Sequence, residues 1–102
     1  MKECCKAYLD EQFGGDPDVV GEIYAEYVAS LREKVEIAAA NLAASDWTQL
    51  DRTAHTIKGN ALAAGDQEVA DNAIELRKAA AIGDASLCAP LVDRIKELSK
   101  GL

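Results

Sequence analysis

The sequence predicts an all-α protein, an antiparallel up-down four-helix bundle with a short additional N-terminal helix. Its 102 residues include only 2 prolines and 5% aromatic residues, and they lack the alternating Val, Ile and Thr runs that strands prefer. Apolar residues recur three or four positions apart, which is the spacing of an amphipathic helix. A chain of this length can bury a single core, so we expect one domain over residues 1–102.

Four junctions divide the chain into five predicted helices. At the first, GGDPD at 14–18, Asp16 can cap a helix and Pro17 occupies the first helical position, where proline is tolerated. The other three junctions are similar tetrapeptides: AASD at 43–46, AAGD at 63–66 and AIGD at 81–84. Each contains a small residue that can end one helix and an aspartate that can cap the next, so we expect tight turns between antiparallel helices.

The first three helices differ in length and in the clarity of their apolar stripes. The first, at about residues 3–12, is too short to be stable alone, so we expect it to lie across the others. The second, at about 17–43, has seven predicted core residues: Val20, Tyr24, Tyr27, Leu31, Val35, Ala38 and Leu42. The third, at about 46–64, has five: Trp47, Leu50, Ala54, Ile57 and Ala61.

The last two helices complete the predicted bundle. The fourth, at about 67–81, has four predicted core residues: Val69, Ala73, Leu76 and Ala80. The fifth, at about 85–100, also has four: Leu87, Leu91, Ile95 and Leu98. Pro90 removes a helical hydrogen bond, so we expect a kink or a late start in this helix.

The charge and the apolar content exclude several classes of protein. The chain has 18 acidic and 11 basic residues, a net charge of −7, which opposes binding to the phosphates of nucleic acid. No apolar run approaches the ~20 residues that cross a bilayer, and MKECCKAYLD lacks the apolar segment of a signal peptide. We therefore expect a cytoplasmic protein that neither binds nucleic acid nor inserts into a membrane. We also expect it to be a monomer.

The three cysteines do not predict a disulfide framework or a metal site. Cys4 and Cys5 are adjacent and cannot bridge each other without strain, and Cys88 leaves an odd count. Zinc sites need about four ligands at other spacings. We expect all three to be small, reduced apolar residues.

The segment AHTIKGNALAAG at 54–65 contains the only histidine of the chain and, four residues later, a glycine. Because Ala54 belongs to the predicted core stripe and each residue turns a helix by about 100°, His55 points away from the core. A glycine inside a helix costs about 1 kcal/mol relative to alanine. We therefore expect Gly59 to leave space beside the imidazole for a bulky partner.

This outward face suits phosphorylation of the histidine. Neutral imidazole is a nucleophile, and the phosphoryl group that it would carry has nearly two negative charges. Lys58 lies one turn after His55 and Arg52 one turn before it, so both could supply cations. On spacing alone, three alternatives stay open. His55 could be an ordinary solvated histidine, and Lys58 and Arg52 could belong to a solvated face on which they pair with Asp51. Gly59 could instead allow close packing of two helices.

The segment HTIKGNALAAG resembles the H-x-x-K-G-(S/A/N)-(S/A)-x-x-x-G signature of histidine-containing phosphotransfer (HPt) domains. The resemblance extends over essentially the whole chain, since the family fold is a four-helix bundle with a short N-terminal helix. It implies that His55 is the phosphoacceptor, Lys58 the stabilising cation, Gly59 the steric opening and Gly65 the turn that ends the helix. Asn60 stands where serine or alanine is commoner in the family.

The resemblance also implies what partners and chemistry to expect. Such domains carry phosphoryl groups between receiver-domain aspartates, or from a hybrid histidine kinase, and have no catalytic machinery. We therefore expect no enzyme activity and no cofactor in this chain, with Mg²⁺ on the receiver. The family often places a polar side chain of the next helix near the imidazole, which is where Arg77 falls.

We further expect a local surface that an acidic receiver can approach, despite the negative net charge. Four cations should lie near the histidine: Arg52, Lys58, Arg77 and Lys78. Leu62 and apolar residues of the first helix should add the hydrophobic part of the contact.

Two other functions stay open beside the phosphocarrier. One is a helical interaction module that docks a receiver or another partner without phosphoryl transfer. The other is the histidine-bearing substrate domain of a chemotaxis-type kinase, whose ATP site would lie elsewhere because no G-x-x-x-x-G-K-[ST] loop is present.

Overall fold

Five α-helices make up most of the chain in a computed structural model that describes residues 1–102. They are α1 (Glu3–Phe13), α2 (Pro17–Ala43), α3 (Trp47–Ala63), α4 (Gln67–Ala81) and α5 (Ala85–Lys100). No strand is present. All five predicted helices are found, and the predicted limits of α2, α4 and α5 are those observed. None of the helices is long and apolar enough to cross a membrane.

Helices α2 to α5 form a ring in which each packs against two others. Contacts join α2 to α3, α3 to α4, α4 to α5, and α5 back to α2. Successive bundle helices are joined by only three residues, so neighbours run antiparallel. The predicted up-down four-helix bundle is therefore confirmed, with α1 as a short additional helix that packs on α2.

The three turns of the bundle share one hydrogen-bonding pattern. The residue before each capping aspartate has a positive φ, +52° at Ser45, +75° at Gly65 and +63° at Gly83. Each aspartate N–H donates to the carbonyl five residues earlier, which closes the preceding helix. Its carboxylate accepts from the N–H three residues later at 3.1 to 3.3 Å, which caps the next helix. This shared turn geometry explains the repeated tetrapeptides.

The core lies along the inner faces of the bundle helices, where the predicted stripes of α2, α3 and α4 are found. Leu42 and Trp47 are half-buried against this core, and every other predicted member of those three stripes is buried. Ala54 and Ile57 of α3 are among the buried residues. His55, which directly follows Ala54, points outward and is exposed. The core therefore fixes which face of α3 reaches solvent.

The predicted stripe of α5 is displaced by one residue from the observed one. Leu87 is 50% exposed, and Ile95 alone of the four predicted residues is fully buried. Cys88, Val92 and Ser99 complete the buried face instead. Both the predicted and the observed sets of residues fit the period of a helix. Packing of α5 against α2 and α4 buries the set that contains Cys88 and Val92.

Pro90 lies inside α5, which begins at Ala85 and continues to Lys100. The prediction of a late start is therefore wrong. The carbonyl of Ser86 loses its usual helical donor to this proline, but both residues are exposed, so water can satisfy it. Exposure explains why proline is tolerated at this position.

The three cysteines are all free. Cys5 and Cys88 are buried members of the core, as expected for reduced apolar residues. Cys4 is also free but is exposed.

Helix α1 is attached where the α3–α4 turn meets the beginning of α2. A side chain at Gly65 would place its Cβ far inside van der Waals contact with the Cβ of Tyr8, so α1 can lie on this turn only because residue 65 is glycine. Beside it, the buried carboxylate of Asp66 accepts from the Tyr27 hydroxyl at 2.7 Å and from the Lys2 ammonium at 2.7 Å. Burial and then this hydrogen bond raise the pKa of Tyr27 well above its ordinary range.

Candidate functional site

His55 lies on the solvent face of α3, near the middle of the helix. Its neighbour Ala54 is fully buried, as is Ile57, and these residues hold α3 against the core. The imidazole therefore projects from a rigid part of the bundle while remaining accessible to a partner. The predicted orientation of the histidine is the one observed.

Arg77 connects His55 to a carboxylate. Its Nη1 lies 3.1 Å from Nδ1 of His55, and its Nε donates to Oδ1 of Asp51 at 2.9 Å. Asp51 and His55 are four residues apart on α3, whereas Arg77 belongs to α4. The guanidinium of the neighbouring helix thus contacts both side chains. We refer to Asp51, Arg77 and His55 as the site triad.

The Arg77 contact fixes the hydrogen-bonding state of the neutral ring. A guanidinium has only donors, so Nδ1 of His55 must accept through its lone pair. Neutral imidazole carries one proton, which must then be on Nε2. A neutral His55 in this contact is therefore the Nε2–H tautomer, in which the Nδ1 lone pair accepts from Arg77.

Lys58 lies beside the triad and makes no ion pair. It borders an open cavity of about 330 Å³ between α3 and α4, together with Asp51, Arg77 and Lys78. An unpaired ammonium next to an exposed guanidinium suits an anion with two charges. Three basic residues, Lys58, Arg77 and Lys78, and one acidic residue, Asp51, thus border this cavity.

The other predicted contact residues are placed less specifically. Arg52 is exposed and unpaired one turn before His55, and Leu62 is 42% exposed further along α3. Lys78 borders the cavity, but its ammonium pairs with Glu75 at 3.1 Å. These residues surround the imidazole at a distance, and the structure shows no hydrogen bond from any of them to it.

Gly59 is open to solvent on the same face as His55. A Cβ built on this residue would have no atom within 4 Å apart from its own helix backbone, so no neighbouring helix requires a glycine here. The alternative of close helix packing is therefore excluded within this chain. The space beside the imidazole is free for a second molecule.

Asn60, the unusual residue of the signature, faces away from His55. Its side-chain amide donates to the Ser30 hydroxyl at 3.1 Å, which joins α3 to α2. The residue borders a second cavity, of about 280 Å³, between these two helices. Asn60 thus contributes to the packing of α3 and leaves the imidazole unobstructed.

Sequence reasoning missed Asp51 as a member of the site. The sequence indicates Asp51 only as a partner for surface cations, although its position four residues before His55 places both on one face of α3. The missing information was the position of Arg77, which comes from the neighbouring helix and bridges the two. Separation in sequence hides this contact.

Charges are unevenly distributed around the bundle. Basic residues cluster at the α3–α4 face near His55, whereas five acidic residues are exposed along α2: Asp18, Glu22, Glu26, Glu33 and Glu36. No group of three or more His, Cys, Asp or Glu side chains could hold a metal ion. Four basic residues, Arg52, Lys58, Arg77 and Lys78, thus lie on the two helices of the histidine face, where an incoming anion would meet cations.

The fold and the site define a helical bundle that presents one exposed histidine beside basic side chains. Residues 22–102 match the family model described as the Hpt domain. Since the match covers most of the chain, the protein belongs to the Hpt domain family. Such domains act in phosphorelay signalling as carriers rather than catalysts, and they interact with receiver and kinase proteins. Searches among curated proteins and among solved structures returned no match.

Proposed function

We propose that this chain carries a phosphoryl group on His55. It accepts the group from a phosphorylated receiver aspartate, or from a kinase, and passes it to a receiver aspartate. The observation that carries this proposal is the exposed imidazole on a bundle helix, with Arg77 at 3.1 Å and open space at Gly59. The Mg²⁺ and the reacting aspartate belong to the receiver, so this chain needs no cofactor.

The surroundings of His55 supply what a phosphorylated ring requires. A phosphoryl group brings nearly two negative charges, and in water-exposed sites these need nearby cations to be held in one orientation. Lys58 has no competing ion pair, and Arg77 already contacts the ring. We assign both as phosphoryl-stabilising residues, with Arg52, Lys78 and Leu62 at the edge of the partner's contact surface.

We further propose that the domain comprises residues 1–102 and works as a monomer in the cytoplasm. A free carrier must meet donor and acceptor in turn through one face, and that face must remain uncovered between encounters. The exposure of His55 in the single chain is in keeping with this mode of action. Size-exclusion chromatography with light scattering should give the mass of one chain, about 10.9 kDa.

The direct test is phosphoryl transfer from a receiver. The chain is incubated with a ³²P-phosphorylated receiver and Mg²⁺, and its label should be acid-labile and base-stable, as phosphohistidine is. Because His55 is the only histidine, such a label identifies the site. His55→Gln should take up no label, and equal labelling of this variant would contradict the assignment.

Lys58 can be tested with a matched control. Lys58→Gln should slow transfer about tenfold or more, because a charge-assisted contact to the phosphoryl group is lost. Lys100→Gln removes an exposed lysine from α5, which makes no contact with α3, and should leave the rate unchanged. Equal rates for the two variants would remove Lys58 from the site.

The same experiments separate the alternative functions. A docking module without transfer would bind a receiver equally well before and after His55→Ala and would take up no label. A substrate domain of a chemotaxis-type kinase would be labelled by the kinase with ATP but not by a phosphorylated receiver.

A further inference from the structure

The site triad has a property that phosphoryl stabilisation does not explain. Arg77 contacts Asp51 and His55 at the same time, through the adjacent Nε and Nη1 groups of one guanidinium. Asp51 and His55 are themselves one turn apart on α3, close enough for side chains to meet. Arg77 therefore lies between a carboxylate and an imidazole that could otherwise contact each other directly.

In this arrangement neither ring nitrogen is available as a nucleophile. The lone pair of Nδ1 accepts a hydrogen bond from Arg77, and Nε2 carries the proton of the neutral ring. Attack on phosphorus needs an unshared pair on an accessible nitrogen. For Nε2 of a neutral ring to present a lone pair, Nδ1 must take up a proton, which requires the guanidinium to leave Nδ1.

We propose that Arg77 is a removable block and that Asp51 is a positioning residue for the imidazole. When the guanidinium turns towards an incoming phosphoryl group, Nε2 releases its proton to water and Nδ1 takes one up. Nδ1–H then donates to the Asp51 carboxylate, and the lone pair of Nε2 points to solvent. This inference rests on the proposed function of His55.

The transfer step balances in this form. The Nε2 lone pair forms the N–P bond, and the P–O bond to the receiver aspartate breaks with its electron pair going to the carboxylate oxygen. The proton on Nδ1 stays in place, so the phosphorylated ring carries a positive charge. The Asp51 carboxylate stabilises this charge through its hydrogen bond to Nδ1.

The geometry allows Arg77 to move. Its side chain is 36% exposed and that of Asp51 is 39% exposed, and ion pairs between such exposed groups are weak. The cavity of about 330 Å³ beside it is open and is also bordered by Lys58. A phosphoryl group bound there would attract the guanidinium away from a neutral ring nitrogen.

A double-mutant cycle tests the role of Asp51. Asp51→Ala should slow transfer from a phosphorylated receiver about tenfold or more, because the Nδ1–H group of the phosphorylated ring loses its carboxylate acceptor. In the Arg77→Gln background the same change should again slow transfer about tenfold, because Asp51 acts on the ring itself. If the effect disappears in that background, Asp51 acts only by holding Arg77, and the inference is overturned.

A matched variant and a spectroscopic measurement complete the test. Asp71→Ala removes an exposed carboxylate from α4 that pairs only with Gln67, and it should not change the rate. In ¹⁵N-histidine NMR the single imidazole should show an unprotonated Nδ1 before phosphorylation. Afterwards it should show a protonated Nδ1 and ³¹P coupling at Nε2, and coupling at Nδ1 would overturn the inference.

The two proposals fail in distinguishable ways. A wild-type chain that takes up no label would overturn the proposed function and this inference with it. A wild-type chain that is labelled at Nε2, with rates unaffected by Asp51→Ala in either background, would overturn the inference alone.

Discussion

Substitution of Gly59 should separate the stability of the bundle from its function. Its backbone has an ordinary helical conformation, and a Cβ there would meet nothing within 4 Å. Gly59→Ala should therefore stabilise the fold by about 1 kcal/mol, the helix-propensity difference between the two residues. For a domain of this size that corresponds to a rise in Tm of about 4–8 °C. The natural glycine at position 59 would then give a less stable fold than alanine at the same position.

A larger side chain at the same position should block function. Gly59→Trp adds a bulky ring one turn after His55, where side chains four apart are about 5–6 Å from each other. No neighbouring helix is close enough to be displaced, so the fold should remain intact. A partner held away from the imidazole by even 1 Å loses about 100-fold in rate, and transfer should fall by at least that factor.

Gly21 provides the matched control. It also lies inside a helix, α2, and a Cβ there would likewise meet nothing within 4 Å. Gly21→Ala and Gly21→Trp should resemble the Gly59 variants in thermal denaturation but should transfer phosphoryl groups at the wild-type rate. Wild-type transfer by Gly59→Trp, or equal slowing by both tryptophan variants, would refute the argument that Gly59 provides space for a partner.

Three further predictions concern the attachment of α1 and the buried groups around it. Gly65→Ala should lower the free energy of unfolding, measured by urea titration, by about 3 kcal/mol or more. Gly14 has a similar positive φ but no close atom, so Gly14→Ala should lower the free energy of unfolding by only about 1–2 kcal/mol. Asp66→Ala should lower the free energy of unfolding by about 3 kcal/mol, because the buried Tyr27 hydroxyl loses its acceptor and the part-buried Lys2 ammonium loses its partner. Phosphoryl transfer by the folded protein should be unchanged. Burial, followed by the Asp66 charge, raises the pKa of Cys5 from 9.0 to about 12, so the unfolded thiol ionises first and stability should fall as pH rises from 9 to 12. Cys5→Ala should remove about 1.4 kcal/mol per pH unit from that slope, and an unchanged slope would contradict the assignment.

Helix limits were predictable because the signals that set them are local. Asp46, Asp66 and Asp84 each cap the helix that follows, and a residue with positive φ precedes each of them. Such signals need only four or five consecutive residues. The limits of α2, α4 and α5 were accordingly predicted without error.

The phase of α5 was not predictable in the same way. The apolar residues around Leu87 and Cys88 fit two helical faces, and the sequence of α5 alone does not distinguish them. The choice depends on how α5 is rotated against α2 and α4, which is a property of the assembled bundle. Cys88 is fully buried while Leu87 is half exposed, the reverse of what hydrophobicity alone suggests.

The candidate site was likewise predictable only where it depends on a single helix. The positions of His55, Lys58 and Gly59 on one outward face followed from the period of a single helix. The bridging position of Arg77 depends on the packing of α4 on α3, and the involvement of Asp51 follows from Arg77. The family resemblance indicated a polar side chain near the imidazole, at Arg77, but did not indicate the carboxylate that Arg77 contacts.

The open surroundings of His55 have a kinetic consequence. Because the imidazole is exposed and Gly59 offers no cover, water reaches the ring as easily as a partner does. A phosphoryl group at the proposed site would need no opening of this chain before it is passed on, so transfer would be limited by the encounter with a partner and by the chemistry that the partner supplies.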